Sequence, residues 1–266
     1  MLTVLGLGLV VGVILALTGA GGGILAVPLL VFGIGMGVAQ AGPIGLMAVV
    51  MAAALGAMLG LREGIVRYRA AMLIAISGML LSPLGLWLAH RLDNRWLSVL
   101  FATILLLVAF RTLRQVTRPD VVVKTDVPSP YPCKRDDGSG RFIWTSNCAR
   151  ALALSGTLAG LLSGLLGVGG GFVMVPALQR YTDLAMRSVV ATSLAVIALV
   201  SVTGVITSAA SGGIVWTVAL PFSAGALAGM LGGRLVSTRL AGPQLQIGFA
   251  LVSAAVAVGM IVKSLI

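Results

Sequence analysis

Charge is what this chain has least of. Asp, Glu, Lys and Arg make up 9% of its 266 residues, against about a quarter in ordinary soluble domains. Together with its apolar content, that excludes a soluble globular domain. Histidine occurs once, as His90 beside Arg91 at the end of an apolar segment. It reads as an interfacial polar residue, with a proton relay as the alternative. The two cysteines, Cys133 and Cys148, are too few for a zinc site and have no histidine near them. In a cytoplasmic loop a lasting disulfide is not expected, so two unpaired thiols are. There is no His/Cys/Asp cluster, no credible Ser-His-Asp set and no Lys-Ser/Thr after a glycine loop. An enzyme is therefore not expected, nor a metal or cofactor.

What the chain has instead is apolar surface. Hydrophobic residues account for 59% and the mean hydropathy is +1.11. That is a polytopic membrane protein, and its spans must be helices, because lipid offers backbone groups no partners. The net charge of +11 comes from 18 basic and 7 acidic residues. On a soluble protein it would point to nucleic acid. Here it lies mostly in short loops and reads first as a topology signal, with attraction of anions second. Residues 1–17 are apolar with no basic stretch before them, and read as retained rather than cleaved.

Thirty-six glycines are the other abundance, and two clusters of them organise the chain. Thr18-Gly19-Ala20-Gly21-Gly22-Gly23 leads to Val27-Pro28. Leu166-Gly167-Val168-Gly169-Gly170-Gly171 leads to Val175-Pro176. The stretches align without a gap at an offset of 148 residues, and Gly12 falls on Gly160. Four glycines in five positions should interrupt a helix. Such a break is tolerated at membrane depth only inside protein or beside water. The helix resuming at about Ile24 or Phe172 would offer bare N–H groups and the positive end of its dipole, an anion site made of backbone. The competing reading is that the glycines only let helices pack closely.

The doubled G-x-G-G-G-x-x-x-V-P signature resembles the TauE/SafE family of sulfite exporters. The likeness extends over both halves and the polar loop between them. It implies a bacterial inner-membrane transporter of sulfite, sulfonates or related small sulfur-containing anions. It does not choose among those substrates.

The rest of the chain divides to match. Residues 1–114 form a first transmembrane repeat, 115–148 a polar cytoplasmic linker, and 149–266 a second repeat. The linker holds Pro119, Pro128, Pro130 and Pro132, and a small hairpin or turn is expected around Asp136 to Trp144. Each repeat reads as a glycine-tipped hairpin (about 2–37 and 149–179) plus three spans. These are about 43–61, 70–89 and 96–114, then 187–210, 214–236 and 243–264. If each hairpin returns to the side it left, three further crossings follow and the halves are inverted repeats. One face then receives Arg62, Arg67, Arg69, Arg111, Arg114, Arg118, Lys124, Lys134, Arg135, Arg141, Arg150, Arg180, Arg187, Arg234 and Arg239, 15 of the 18 basic residues. Eight simple crossings and parallel halves would divide them 12 to 6. The positive-inside rule prefers the inverted arrangement, an all-α integral membrane fold with about eight hydropathy spans.

Inverted repeats hold substrate at broken helices near the midplane. The expected substrate-binding residues are therefore Gly19, Gly21, Gly22 and Gly23 from one half and Gly167, Gly169, Gly170 and Gly171 from the other. Thr18 can add a hydroxyl. Its counterpart is Leu166, so the site is not symmetric. Thr192 and Ser193 are span hydroxyls able to line an anion path, although such groups more often bond back to their own helix. Ser163, one turn before the second cluster, is a weaker candidate. None of the seven acids lies deep in a span, so coupling through a buried carboxylate has no candidate residue and facilitated efflux is at least as good an expectation. The expected partners are a small anionic substrate and the lipid bilayer, not nucleic acid. An anion channel and a structural membrane protein are the rival readings.

Overall fold

The computed structural model describes residues 1–19, 21–117, 133, 145–240 and 243–265. Ten helices follow in order: α1 (Leu2–Thr18), α2 (Gly21–Gly33), α3 (Val38–Arg62), α4 (Tyr68–Arg91), α5 (Asn94–Thr117), α6 (Ser146–Leu166), α7 (Gly171–Tyr181), α8 (Met186–Ala210), α9 (Trp216–Leu240) and α10 (Pro243–Leu265). Helices α1 to α5 correspond to α6 to α10. No strand occurs among the described residues beyond one isolated bridge between Cys133 and Thr182. The hairpin expected around Asp136 to Trp144 lies outside the described residues.

Among the described residues, six helices are long and apolar enough to cross a bilayer: α3, α4, α5, α6, α8 and α9. Helices α1, α2 and α7 have 17, 13 and 11 residues. At 1.5 Å per residue they reach only about 25, 20 and 16 Å, short of a hydrocarbon core of about 30 Å. Large side chains such as Leu80, Leu154 and Leu235 stand exposed on the long helices, as a lipid-facing surface requires.

The halves are interleaved. Helix α1 packs along α9, and α4 along α6; α3 crosses α8, and α5 packs on α10. Two glycine seams make the first pair of contacts possible. Gly225, Gly229 and Gly233 on α9 face the backbone of Leu5, Leu9 and Val13 in that order, so α1 and α9 run in the same sense. Gly156, Gly160 and Gly164 on α6 face Ile74, Gly78 and Ser82 likewise, so α4 and α6 are also parallel. Apart from Gly233 and Gly156, where a side chain lies closer, a methyl added at any of these glycines would run first into a carbonyl oxygen of the facing helix. Helices that gain nothing from leaving lipid associate through such close backbone approach. Helix α4 also runs parallel to α8, with Gly78 at Val200 and Gly204 at Ser82. Helices α3 and α8 are antiparallel: Leu46 lies at Gly204, Gly56 at Leu194 and Gly60 at Ala191.

The cysteines do not stay apart as expected. Cys133 and Cys148 form a disulfide, with Cα atoms 4.9 Å apart, and both are fully buried. Cys148 sits in the first turn of α6, where Thr145 caps the helix by accepting the Cys148 N–H. The Cys133 N–H donates to the Tyr181 carbonyl at 3.1 Å. Backbone pairing with the end of α7 thus holds Cys133 beside Cys148. Spacing along the sequence carries no sign of that pairing.

Candidate functional site

Both glycine clusters break their helices, and each break reverses the chain. Helix α1 ends at Thr18; Gly19 takes a left-handed conformation (φ 73°) and its N–H closes on the Leu15 carbonyl. Helix α2 then runs back along α1, with Gly22 against Val11 and Leu15 and Gly33 against Leu7. At the second tip, Gly167 is left-handed (φ 69°) and its N–H bonds the Ser163 carbonyl at 2.9 Å. Gly169 and Gly170 follow with φ 77° and 67°. Three positive φ values in four residues are affordable only to glycine. The helices resume earlier than expected, at Gly21 and Gly171 rather than near Ile24 and Phe172. Gly21, Gly22 and Gly23 are therefore the first turn of α2, and its lack of side chains lets α2 lie on α1 and on the opposite tip.

The two tips meet. Gly23 faces the carbonyl oxygen of Val168 in the second break. Val49, halfway along α3, lies 3.5 Å from a methyl position on Gly23 and 3.1 Å from one on Gly169. Ile197, its counterpart halfway along α8, is also 3.1 Å from the Gly169 position. The N-termini of α2 and α7, each with amides that have no carbonyl of their own helix to meet, thus converge between the two central helices. Their dipoles add positive potential there without a buried cation.

Two of the three expected hydroxyls, Thr18 and Ser193, sit at the first tip. Thr18 donates to the Ile14 carbonyl at 2.8 Å. Ser193, fully buried, lies within 3.2 Å of the Gly19 carbonyl and 2.8 Å of the Val190 carbonyl, its possible acceptors. Thr192 accepts the backbone N–H of Arg67 at 3.1 Å and so ties α8 to the α3–α4 turn.

Three features escaped the sequence reading. Ser201 is buried, its hydroxyl has no partner among the described residues, and it faces Gly169, 2.8 Å from a methyl position there. Arg67, a loop charge by sequence, has a buried Nε with no partner among the described residues. Arg234 reaches from α9 to Glu63 and to the Gly56 carbonyl at 3.3 Å, so its charge is matched on the α3 side. Polar residues in mid-span were the available signal for Ser201; neither arginine has a local sequence signature. A cavity of about 30 Å³ adjoins the second tip, bounded by Gly42, Pro43, Leu86, Gly164 and Gly167. It has room for a water or two rather than a multi-atom anion.

The family profile for the sulfite exporters TauE/SafE matches residues 4–260. The chain belongs to this family. It is similar to a probable membrane transporter protein of Xylella fastidiosa strain 9a5c, 29% identical over 269 residues, which cover 99% of this chain and 96% of that one. It is also similar to the probable membrane transporter protein YunE of Bacillus subtilis strain 168, 27% identical over 237 residues, 86% of this chain and 84% of the relative. No solved structure matches. Family, relatives and apolar helices together make this a multi-pass membrane transporter.

Proposed function

We propose that the protein exports a small oxyanion, sulfite or a related sulfur species, across a bacterial inner membrane by alternating access around the two glycine tips. The observation that carries this reading is the meeting of two broken-helix N-termini between α3 and α8. A negative solute held there gains several backbone N–H donors and two dipoles at once. The family and its description support the sulfur oxyanion. Closure of the centre by Val49 and Ile197 favours a carrier with an occluded state over an open channel.

The reading takes the halves as inverted repeats. It is supported by antiparallel α3 and α8, which are each other's counterparts, and by parallel pairing of α1 with α9 and of α4 with α6. The basic face would then be cytoplasmic. The disulfide favours the opposite orientation, since disulfides persist in oxidising compartments. Charge bias over 15 residues is the broader signal and outweighs it.

The test is flux in proteoliposomes holding the purified chain. Sulfite should exchange faster across loaded vesicles than across protein-free ones, and an outward excess should drive counterflow of labelled sulfite. Flux without counterflow would leave a channel in its place. Absence of flux for sulfite, sulfate, thiosulfate and sulfonates alike would defeat the proposal.

A further inference from the structure

Most span hydroxyls here are spoken for. Ser77, Thr103, Thr112, Ser155, Thr203 and Thr207 each lie within hydrogen-bonding distance of a carbonyl three or four residues back on their own helix, the usual fate of such groups. Three buried serines beside the second tip differ in having no hydrogen-bond partner for the hydroxyl among the described residues. Ser201 is fully buried, faces Gly169 and has no partner. Ser163, 1% exposed, gives its carbonyl to the Gly167 N–H, yet its hydroxyl is unpartnered. Ser82, fully buried and unpartnered, sits where α4 meets Gly164 of α6 and Gly204 of α8. Buried hydroxyls without partners are uncommon in folded proteins, and each calls for a reason.

The first tip lacks this feature. At the repeat offset, Ser163, Ser201 and Ser82 correspond to Leu15, Ala53 and Met230. Met230 fills the space against Gly56 together with Leu194, which lies 2.8 Å from a methyl position there. The hydroxyls at the first tip have acceptors: Thr18 the Ile14 carbonyl, and Ser193 the Gly19 and Val190 carbonyls. Gly19 itself is covered by the Val190 side chain, whereas the equivalent position at the second tip is Gly42, beside the cavity. Ser208 continues the series: it lies on the Ser201–Gly204 face of α8, buried and unpartnered, near the α8–α9 turn.

We propose that the transport site is one-sided: a compact oxyanion is held at the second tip with Ser201, Ser163 and Ser82 as its side-chain donors. It passes the Ser201–Gly204–Ser208 face of α8 towards the end of the bundle carrying the α8–α9 turn. The first tip, sealed by Val190, Leu15 and Met230, serves as a fixed abutment. This rests on the anion-transport reading above and narrows it to one of the two breaks. Tetrahedral and pyramidal oxyanions suit the site because the three hydroxyls come from three different helices, α4, α6 and α8, of which α6 and α8 flank the second break.

The experiment uses the full chain in detergent and in proteoliposomes, with sulfite as the probe. Ser201→Ala and Ser163→Ala remove only an unpartnered oxygen, so thermal stability without anion should hold or rise. The half-saturating sulfite concentration, in flux and in thermal shift, should rise by about ten-fold or more, as expected for losing a hydrogen bond to an anion. Ser223→Ala, an equally orphaned hydroxyl on α9, should leave both unchanged. If the unmutated chain transports sulfite and Ser201→Ala and Ser163→Ala match it, the one-sided site is wrong while the transporter reading stands. No sulfite signal from the unmutated chain would overturn both.

Discussion

Gly42→Ala separates the work of the second tip from its packing. Gly42 lies in the first turns of α3, and Gly167 is its neighbour across the break. A methyl at Gly42 would come to 3.5 Å from the Gly167 Cα and 3.9 Å from its nitrogen, ordinary contact distances. Nothing has to shift in the closed state. Replacing a helical glycine should stabilise that state by about 0.5–1 kcal/mol through the unfolded chain's lost freedom. In a chain of this size that is a rise in Tm of about 1–4 °C. The same methyl projects beside a cavity of about 30 Å³ and takes up much of it. If the tip must move against α3 for an anion to enter, flux in proteoliposomes should fall by about ten-fold or more. A more stable protein with undiminished flux would refute the idea that this junction moves. A Tm lowered by several degrees would refute the packing argument itself.

Gly160→Ala should behave in the opposite way, because its methyl meets the Gly78 backbone; overpacking of this kind costs about 1–3 kcal/mol, to be read as a lower Tm in detergent. Gly170→Ala combines a positive φ with a methyl 2.6 Å from the Ala159 carbonyl oxygen, so it should lose both stability and flux, which makes it a poor probe of the site. Cys148→Ser should cost about 3 kcal/mol, since the bridge closes a 15-residue separation; maleimide labelling of the unfolded wild-type chain should need a reductant, and labelling without one would refute the bridge. Glu63→Gln should change Tm by no more than about 1 kcal/mol allows, because the carboxylate is half exposed.

Periodicity and composition were enough for the membrane fold, because a bilayer permits so few solutions. Span edges agreed closely: the segment expected at about 187–210 is α8 over Met186–Ala210. Breaks at Gly19 and at Gly167 to Gly170 were legible because glycine runs have one physical meaning inside lipid. The length of each break was not, since Gly22 and Gly23 are needed for the backbone of α1 and of the second break that lies where their side chains would be, and not to interrupt the helix. Gly225, Gly229 and Gly233 looked like ordinary span glycines; their role depends on a helix some 220 positions away. Ser201 has no local pattern that sets it apart from Thr192 and Ser193, because the alignment of tips against α8 decides which hydroxyl faces a break.

The interleaving of the halves bears on how the protein is made. Leu5 meets Gly225, so the first helix leaves the ribosome with its seam still to be synthesised. At about 5–20 residues per second it waits roughly 10–40 s, a short apolar hairpin lodged in the membrane beside whatever will shield it. Helix α6, by contrast, emerges after α4 is already in place. Early stages of assembly should therefore depend on the insertion machinery holding α1, and a chain truncated before α9 should be the form that quality-control proteases recognise.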